Sequence, residues 1–230
     1  MYPAILRFKA VVCTFSALLL FSATASAQNA TAAPVLTLNG SAKLVTGLFG
    51  YPVIWLTPAE QYQAGSAFTT RKIAFGPRFV FGTFFQFQMI NPDSQASDGM
   101  AFVIHTEGPS AIGSDGGSLG YGGITPSIAV EFDTWQNQWD INDNHVAILT
   151  DGQMNDIDPQ TPYGVTDCQP TTGQFGCMNN GHIWSVWIDY DGTNLNVAVA
   201  DDSFKRPANL ISYPIHIPAI LGSDEAFIDS

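Results

Sequence analysis

Between residues 79 and 89 the chain sets Phe79, Phe81, Thr83, Phe85, Phe87 and Met89 at every second position, with Val80, Gly82, Phe84, Gln86 and Gln88 between them. Side chains on an extended strand alternate faces with a period of two, so the run predicts one long strand with an apolar face. Such a face needs a second layer to cover it. Residues 184–190 and 195–199 flank Asp191, Gly192, Thr193 and Asn194, which predicts a hairpin. Short strands separated by Gly, Pro and Asn fill the remainder, and no segment after the first 27 residues shows helical periodicity. The expectation is an all-β sandwich, with Trp184 and Trp187 as sheet packing.

Residues 1–27 carry Arg7 and Lys9 ahead of an apolar run from Ala10 to Phe21 and end in Ala25-Ser26-Ala27, the pattern of a cleaved secretory signal. About a dozen apolar residues are too few to span a bilayer. The expected mature chain begins at Gln28 and holds 230 − 27 = 203 residues. It divides into a linker at 28–35 and one domain at 36–230. The expected location is secreted or periplasmic. Loss of Arg7 and Lys9 moves the net charge from −12 to −14. That surface argues against nucleic acid or anionic membranes as partners, and no membrane insertion is expected. Cys13 leaves with the leader, and in an oxidising compartment Cys168 and Cys177 most simply close a disulfide.

Chemistry concentrates between residues 127 and 148. Alternation turns Ile128, Val130 and Phe132 toward a core and presents Glu131 and Asp133 together on the opposite face. Two adjacent carboxylates repel, and a cation between them relieves the cost. The following loop offers oxygen ligands in Asn137, Asp140, Asn142 and Asp143, and His145 adds an imidazole suited to a transition metal. The spacing Asp140-x-Asn142-x-Asn144 is not an EF-hand, because His145 stands where that loop needs Gly and Asp151 where it needs Glu. Without a metal the stretch reads as a polar hairpin with strand-end carboxylates.

Two upstream motifs add to this. Residues 97–104 read Ser-Asp-Gly-Met-Ala-Phe-Val-Ile, and residues 116–121 read Gly-Gly-Ser-Leu-Gly-Tyr. Read alone, Asp98 is a turn-capping residue and 113–123 a flexible loop. The three motifs in this order resemble the legume-lectin-type (L-type) lectin domain of the concanavalin A-like superfamily, in its secreted bacterial form. The resemblance implies a jelly-roll β-sandwich of two antiparallel sheets. It further implies a transition-metal site, usually Mn2+, on Glu131, Asp133, Asp140 and His145. An adjacent Ca2+ would take Asp133, Asn137, Asp140 and the backbone carbonyl of Trp135. The peptide before Asp98 would be cis. The sugar would be held by Asp98 as acceptor, by Gly117 N–H and Asn137 as donors, and by the Trp135 ring; Gly116 and Ser118 remain alternatives to Gly117. Family members often dimerise through their flat back sheet, so the resemblance leaves a homodimer open. Tyr121, Trp139 and Phe175 lie on loops, open as rim contacts.

The resemblance covers about residues 36–228, and in the family one or two further strands follow the segment at 224–228. The expectation is therefore a domain shortened at its C-terminus, with residues 222–226 contributing to the sugar pocket. The reading that follows is a Ca2+- and Mn2+-dependent carbohydrate-binding protein with no catalytic activity, whose partners are glycans. A jelly-roll glycoside hydrolase is the rival. Retaining hydrolysis requires a second carboxyl group roughly 5 Å from the first, and Trp135 and Gln136 occupy the places where that family keeps it. A third reading is an adhesion or surface sandwich that has lost sugar binding.

Overall fold

A computed structural model describes residues 7–9, 35–47, 50–75, 79–90, 97–166 and 177–229. One sheet runs in the order β1 (Arg7–Lys9), β7 (Phe81–Ile90), β12 (Trp184–Tyr190), β13 (Asn194–Asp201) and β14 (Ile211–Pro214). The other runs β11 (Tyr163–Val165), β10 (His145–Thr150), β9 (Ser127–Asp133), β8 (Gly99–His105), β15 (Glu225–Ile228) and β6 (Ile73–Ala74). Two smaller pairs join β2 (Leu36–Gly40) to β5 (Gly65–Thr69) and β3 (Lys43–Thr46) to β4 (Pro52–Trp55). The pairings are antiparallel, as in a jelly-roll sandwich. β1 lies within the stretch expected to be a leader and pairs with residues 88–90 of β7.

The alternating pattern becomes the core between the two sheets. Phe81, Phe87 and Met89 of β7 meet Phe102 of β8 and Val130 and Phe132 of β9 in one buried cluster, which Trp184, Val186 and Ile188 of β12 extend. Phe85 stacks on Phe102 with ring centroids 5.8 Å apart, and Phe87 lies 5.2 Å from Phe132. Phe79 departs from the predicted alternation: its φ is 43° and it stacks on Phe75 at 4.1 Å, so the strand begins only at Phe81. The hairpin of β12 and β13 forms as expected, its turn closed by Asp191 Oδ1 accepting from the N–H groups of Thr193 and Asn194 at 2.8 and 2.7 Å.

The expectation of no helix fails at α1 (Ile217–Leu221), which has Pro218 in its first turn and ends at Gly222 with φ 62°. Five residues are too few to show a period in sequence, and burial of Ile217 and Leu221 one turn apart decides the matter. Among the described residues no helix is long and apolar enough to cross a membrane.

The far face of the six-stranded sheet is covered too. Ala101, Val103, Ala129 and Leu149 pack with Phe68, Ala111, Tyr121 and Ile124 into a second core. Tyr121 is therefore a core residue and not a rim contact: it is fully buried, and its hydroxyl accepts from Gly152 N–H at 2.9 Å and lies 3.2 Å from Ser127 Oγ. The glycine-rich loop that carries it looked open in sequence because its one large anchor is flanked by small residues. This second core pins Tyr121 at the Ser127 and Gly152 end of the sheet.

Candidate metal and glycan site

β9 ends and β10 begins where the polar residues concentrate, and their register sets Asp133 opposite His145 and Glu131 opposite Ala147. Glu131, Asp133 and His145 are buried at 2 %, 1 % and 0 % exposure, and one ligand atom of each lies within 4.8 Å of the others. The loop between the strands is wound by its own side chains. Asp133 Oδ1 accepts from Trp135 N–H at 2.7 Å, Asp140 Oδ2 accepts from Asn137 N–H, and Asn142 Oδ1 accepts from Asn144 N–H at 2.8 Å. His145 Nδ1 lies 3.0 Å from the carbonyl of Asn142. A carbonyl can only accept, so Nδ1 carries a proton, and Nε2 faces the carboxylate of Glu131 at 3.3 Å, holding a proton there while no cation is bound and offering a lone pair to one that displaces it.

Burial pushes the Asp133 carboxyl up to about 9, with Glu131 and Asp140 adding repulsion, and pushes Asp140 up to about 6. Glu131 is raised by burial and by Asp156. Burial alone would lower His145, but the carboxylates of Asp156 and Glu131 outweigh it and carry the ring to about 10. Carboxylates this reluctant to ionise would be held charged by a cation between them. Asn137 points the same way, its Oδ1 being buried with no hydrogen-bond partner among the described residues. Oxygen donors on Asp133, Asn137 and Asp140 suit Ca2+, and the carboxylates with an imidazole suit Mn2+ or a similar ion.

Not every loop oxygen takes part: Asp143 is exposed, and Asn142 serves the loop's turn and His145. A carboxylate with no place in the motif stands beside His145. Asp156, at 1 % exposure, brings Oδ2 to 2.5 Å from His145 Nε2. It arrives from a loop beyond β10, where no spacing rule signals it.

The second motif abuts the first. The Ser97–Asp98 peptide is cis, and the Asp98 carbonyl accepts from both the N–H and the hydroxyl of Thr134, at 2.8 and 3.1 Å. Thr134 directly follows Asp133 in the chain, so the loop between β9 and β10 and Asp98 share one anchor. The Asp98 carboxyl rises to about 6 through burial and the neighbouring Asp115. It lines a cleft of about 200 Å³ with Gly116, Leu119 and Gly120 and, from the loop between β4 and β5, Glu60 and Tyr62. A Cβ on Gly116 would lie 3.9 Å from Asp98 Oδ2, whereas one on Gly117 would meet Asn137 Oδ1 at 2.4 Å. Gly116 thus stands beside Asp98, and Gly117 beside Asn137.

Trp135 is 41 % exposed on the loop between β9 and β10, Trp139 is half-buried, and Gly117, Trp135 and Asn137 are not among the residues lining the cleft. Residues 222–226 do not line the cleft, because β15 pairs with β6 and with the His105 end of β8, away from Gly99. Phe175, Cys168 and the Cys177 side chain lie outside the described residues.

Residues 27–227 match the family model of the legume lectin beta-barrel domain. The chain belongs to the L-type lectin domain family. This lectin domain is 36 % identical over 157 residues to L-type lectin-domain containing receptor kinase S.1 of Arabidopsis thaliana, an alignment covering 60 % of this chain and 22 % of that protein. It is 27 % identical over 205 residues to receptor kinase I.7 of the same plant, covering 84 % and 30 %. The lectin domain thus spans a third or less of the curated relatives it matches. Among solved structures it is similar to lectin II from Ulex europaeus, with TM-score 0.65, 22 % identity and coverage of 84 % of this chain and 82 % of that one. It is also similar to the winged bean acidic lectin complexed with methyl-α-D-galactose, with TM-score 0.62, 22 % identity and coverage of 84 % and 81 %. The sandwich is theirs in fold.

Proposed function

We propose that this chain is a secreted lectin that binds glycans in the cleft at Asp98 and depends on Ca2+ and a transition metal such as Mn2+. The observation that carries the reading is the double hydrogen bond from Thr134 to the Asp98 carbonyl, next to the buried Glu131, Asp133 and His145. Ions held by Glu131, Asp133, Asp140 and His145, with Asn137 and the Trp135 carbonyl on the calcium side, would keep the loop wound and so keep Asp98 in place. They would supply fixed positive charge against the loop carboxylates.

A pyranose offers vicinal hydroxyls and an apolar C–H face. Asp98 accepts from hydroxyls, backbone N–H groups at Gly116 and Gly117 and the Asn137 amide donate, and Trp135 supplies a ring at the rim. The winged bean relative is described with a galactoside and a VIP36 domain with Ca2+ and mannose, which supports this assignment without fixing the sugar. In this reading residues 1–27 are a removed leader, 28–35 a linker and 36–230 the binding domain. Cys168 and Cys177 pair in the oxidising compartment, and the lectin works without catalysis, as a monomer or a dimer.

The test is glycan-array binding of the mature protein before and after chelation, beside Asp98→Ala. Both treatments should abolish binding, and replacing Ca2+ and Mn2+ should restore it in the wild type alone. Unchanged binding after either treatment would sink the proposal. Hydrolysis of β-glucans that disappears in Glu131→Gln would establish the glycosidase instead, and a folded protein indifferent to every glycan would establish the structural reading.

A further inference from the structure

We infer that Asp156 is an additional carboxylate ligand of the transition-metal site, so that this lectin holds its ion with one more protein oxygen than the loop motif supplies. The inference rests on the metal-dependent reading above and concerns a residue outside its motif.

After β10 the chain turns through Asp151 and Gly152, both at positive φ, and comes back over the loop that precedes β10. There the N–H groups of Asp156 and Ile157 both donate to the Trp139 carbonyl at 3.2 Å. This stitch drives the Asp156 side chain inward, to 1 % exposure, where neither carboxylate oxygen has a hydrogen-bond partner among the described residues. A buried carboxylate without donors is among the costliest arrangements in a protein interior.

Its ion-pair neighbour among the described residues is His145. Oδ2 stands 2.5 Å from His145 Nε2, yet the pair is not aligned as a hydrogen bond. Because Nδ1 gives its proton to Asn142, Nε2 is the nitrogen turned toward the carboxylates. One proton on Nε2 can satisfy a single carboxylate oxygen, whereas a cation bound there serves Asp156 and Glu131 together. Glu131 Oε1, 3.3 Å from the same nitrogen, converges on the same space.

Charge makes the same point. Two divalent ions bring +4, and Glu131, Asp133 and Asp140 bring −3. Asp156 brings the fourth negative charge and leaves the buried cluster neutral, as a low-dielectric interior favours. A carboxylate at this point also makes the site harder, favouring Mn2+ over softer ions.

The experiment titrates Co2+ and Mn2+ into metal-stripped, Ca2+-supplemented wild type and Asp156→Asn, reading stoichiometry by calorimetry and coordination by the visible spectrum of Co2+. Asparagine keeps the shape and removes the charge. The expected result is about tenfold or greater loss of Co2+ and Mn2+ affinity, with an altered Co2+ spectrum. Weaker binding with an unaltered spectrum would make Asp156 a positioning partner of His145 and overturn the inference, as would unchanged affinity. A wild type that binds neither ion would instead overturn the metal-dependent reading itself. Should Asp156→Asn not fold, anomalous diffraction from Mn2+-loaded wild type decides: Asp156 Oδ2 in the coordination sphere supports the assignment, and its absence refutes it.

Discussion

At the scale of single residues, the role proposed for Asp98 would tie recognition to burial. A carboxyl that ionises only near pH 6 accepts hydroxyl hydrogen bonds above that point and loses an acceptor below it. Glycan affinity should therefore fall by about tenfold per unit as pH drops well below 6, measured by titration calorimetry of the metal-loaded protein from neutral to acid. Constant affinity down to the ordinary carboxylate range would remove Asp98 from the binding role. The glycines separate function from stability. Gly117→Ala drives a Cβ to 2.4 Å from the Asn137 amide oxygen, which a side chain can vacate. That variant should melt like the wild type and lose Ca2+ and glycan binding. Gly99→Ala meets the Phe132 carbonyl at 2.4 Å from a φ of +148°, and neither backbone can yield freely. It should lose about 1–3 kcal/mol of stability in denaturant titration. Glu131, Asp133, Asp140 and His145 could be picked out from sequence because strand alternation and a short loop bring them together within a few residues. Asp156 could not, since only the return of the chain across Trp139 delivers it.

Secondary-structure elements divide along the same line. β7, β9, β12 and β13 announce themselves through period-two patterning, because each buries one face against the opposite sheet. Phe132 belongs to that layer, fully buried against Phe87, and stands between the acidic residues Glu131 and Asp133 on the opposite face of β9. Phe132→Ala should cost about 3–5 kcal/mol by the usual penalty for emptying a core position, and should weaken Ca2+ binding as the strand end loosens. Full destabilisation with native ion affinity would show that loop and core are independent. The pieces hidden from sequence are those whose order comes from tertiary packing. Loop 111–123 is one, fixed by Tyr121; α1 is another, at five residues too short for its period to be seen.

The whole molecule pits its acidic cluster against its own fold. In Asp133, raised from 3.8 to about 9, and Asp140, raised to about 6, the folded state binds protons more tightly than the unfolded chain. Their contribution is complete below about pH 4 and drains away as pH rises through 6 toward 9. His145, raised from 6.5 to about 10, acts in the same direction above its unfolded value. The metal-stripped protein should thus lose melting temperature between about pH 4 and pH 8, and Ca2+ with Mn2+ should restore most of it at the upper end. A chelated protein whose melting point climbs across that range would contradict the arrangement. Thr134 gives this opposition a use. Because it ties the Asp98 carbonyl to the strand end that carries Asp133, the proposed reading has occupancy of one locus biasing the other, and such coupling is reciprocal by thermodynamic necessity. On that reading, whatever factor the ions add to sugar affinity the sugar would return to the ions, so that where calcium is scarce the ligand would recruit the metal that completes its own receptor.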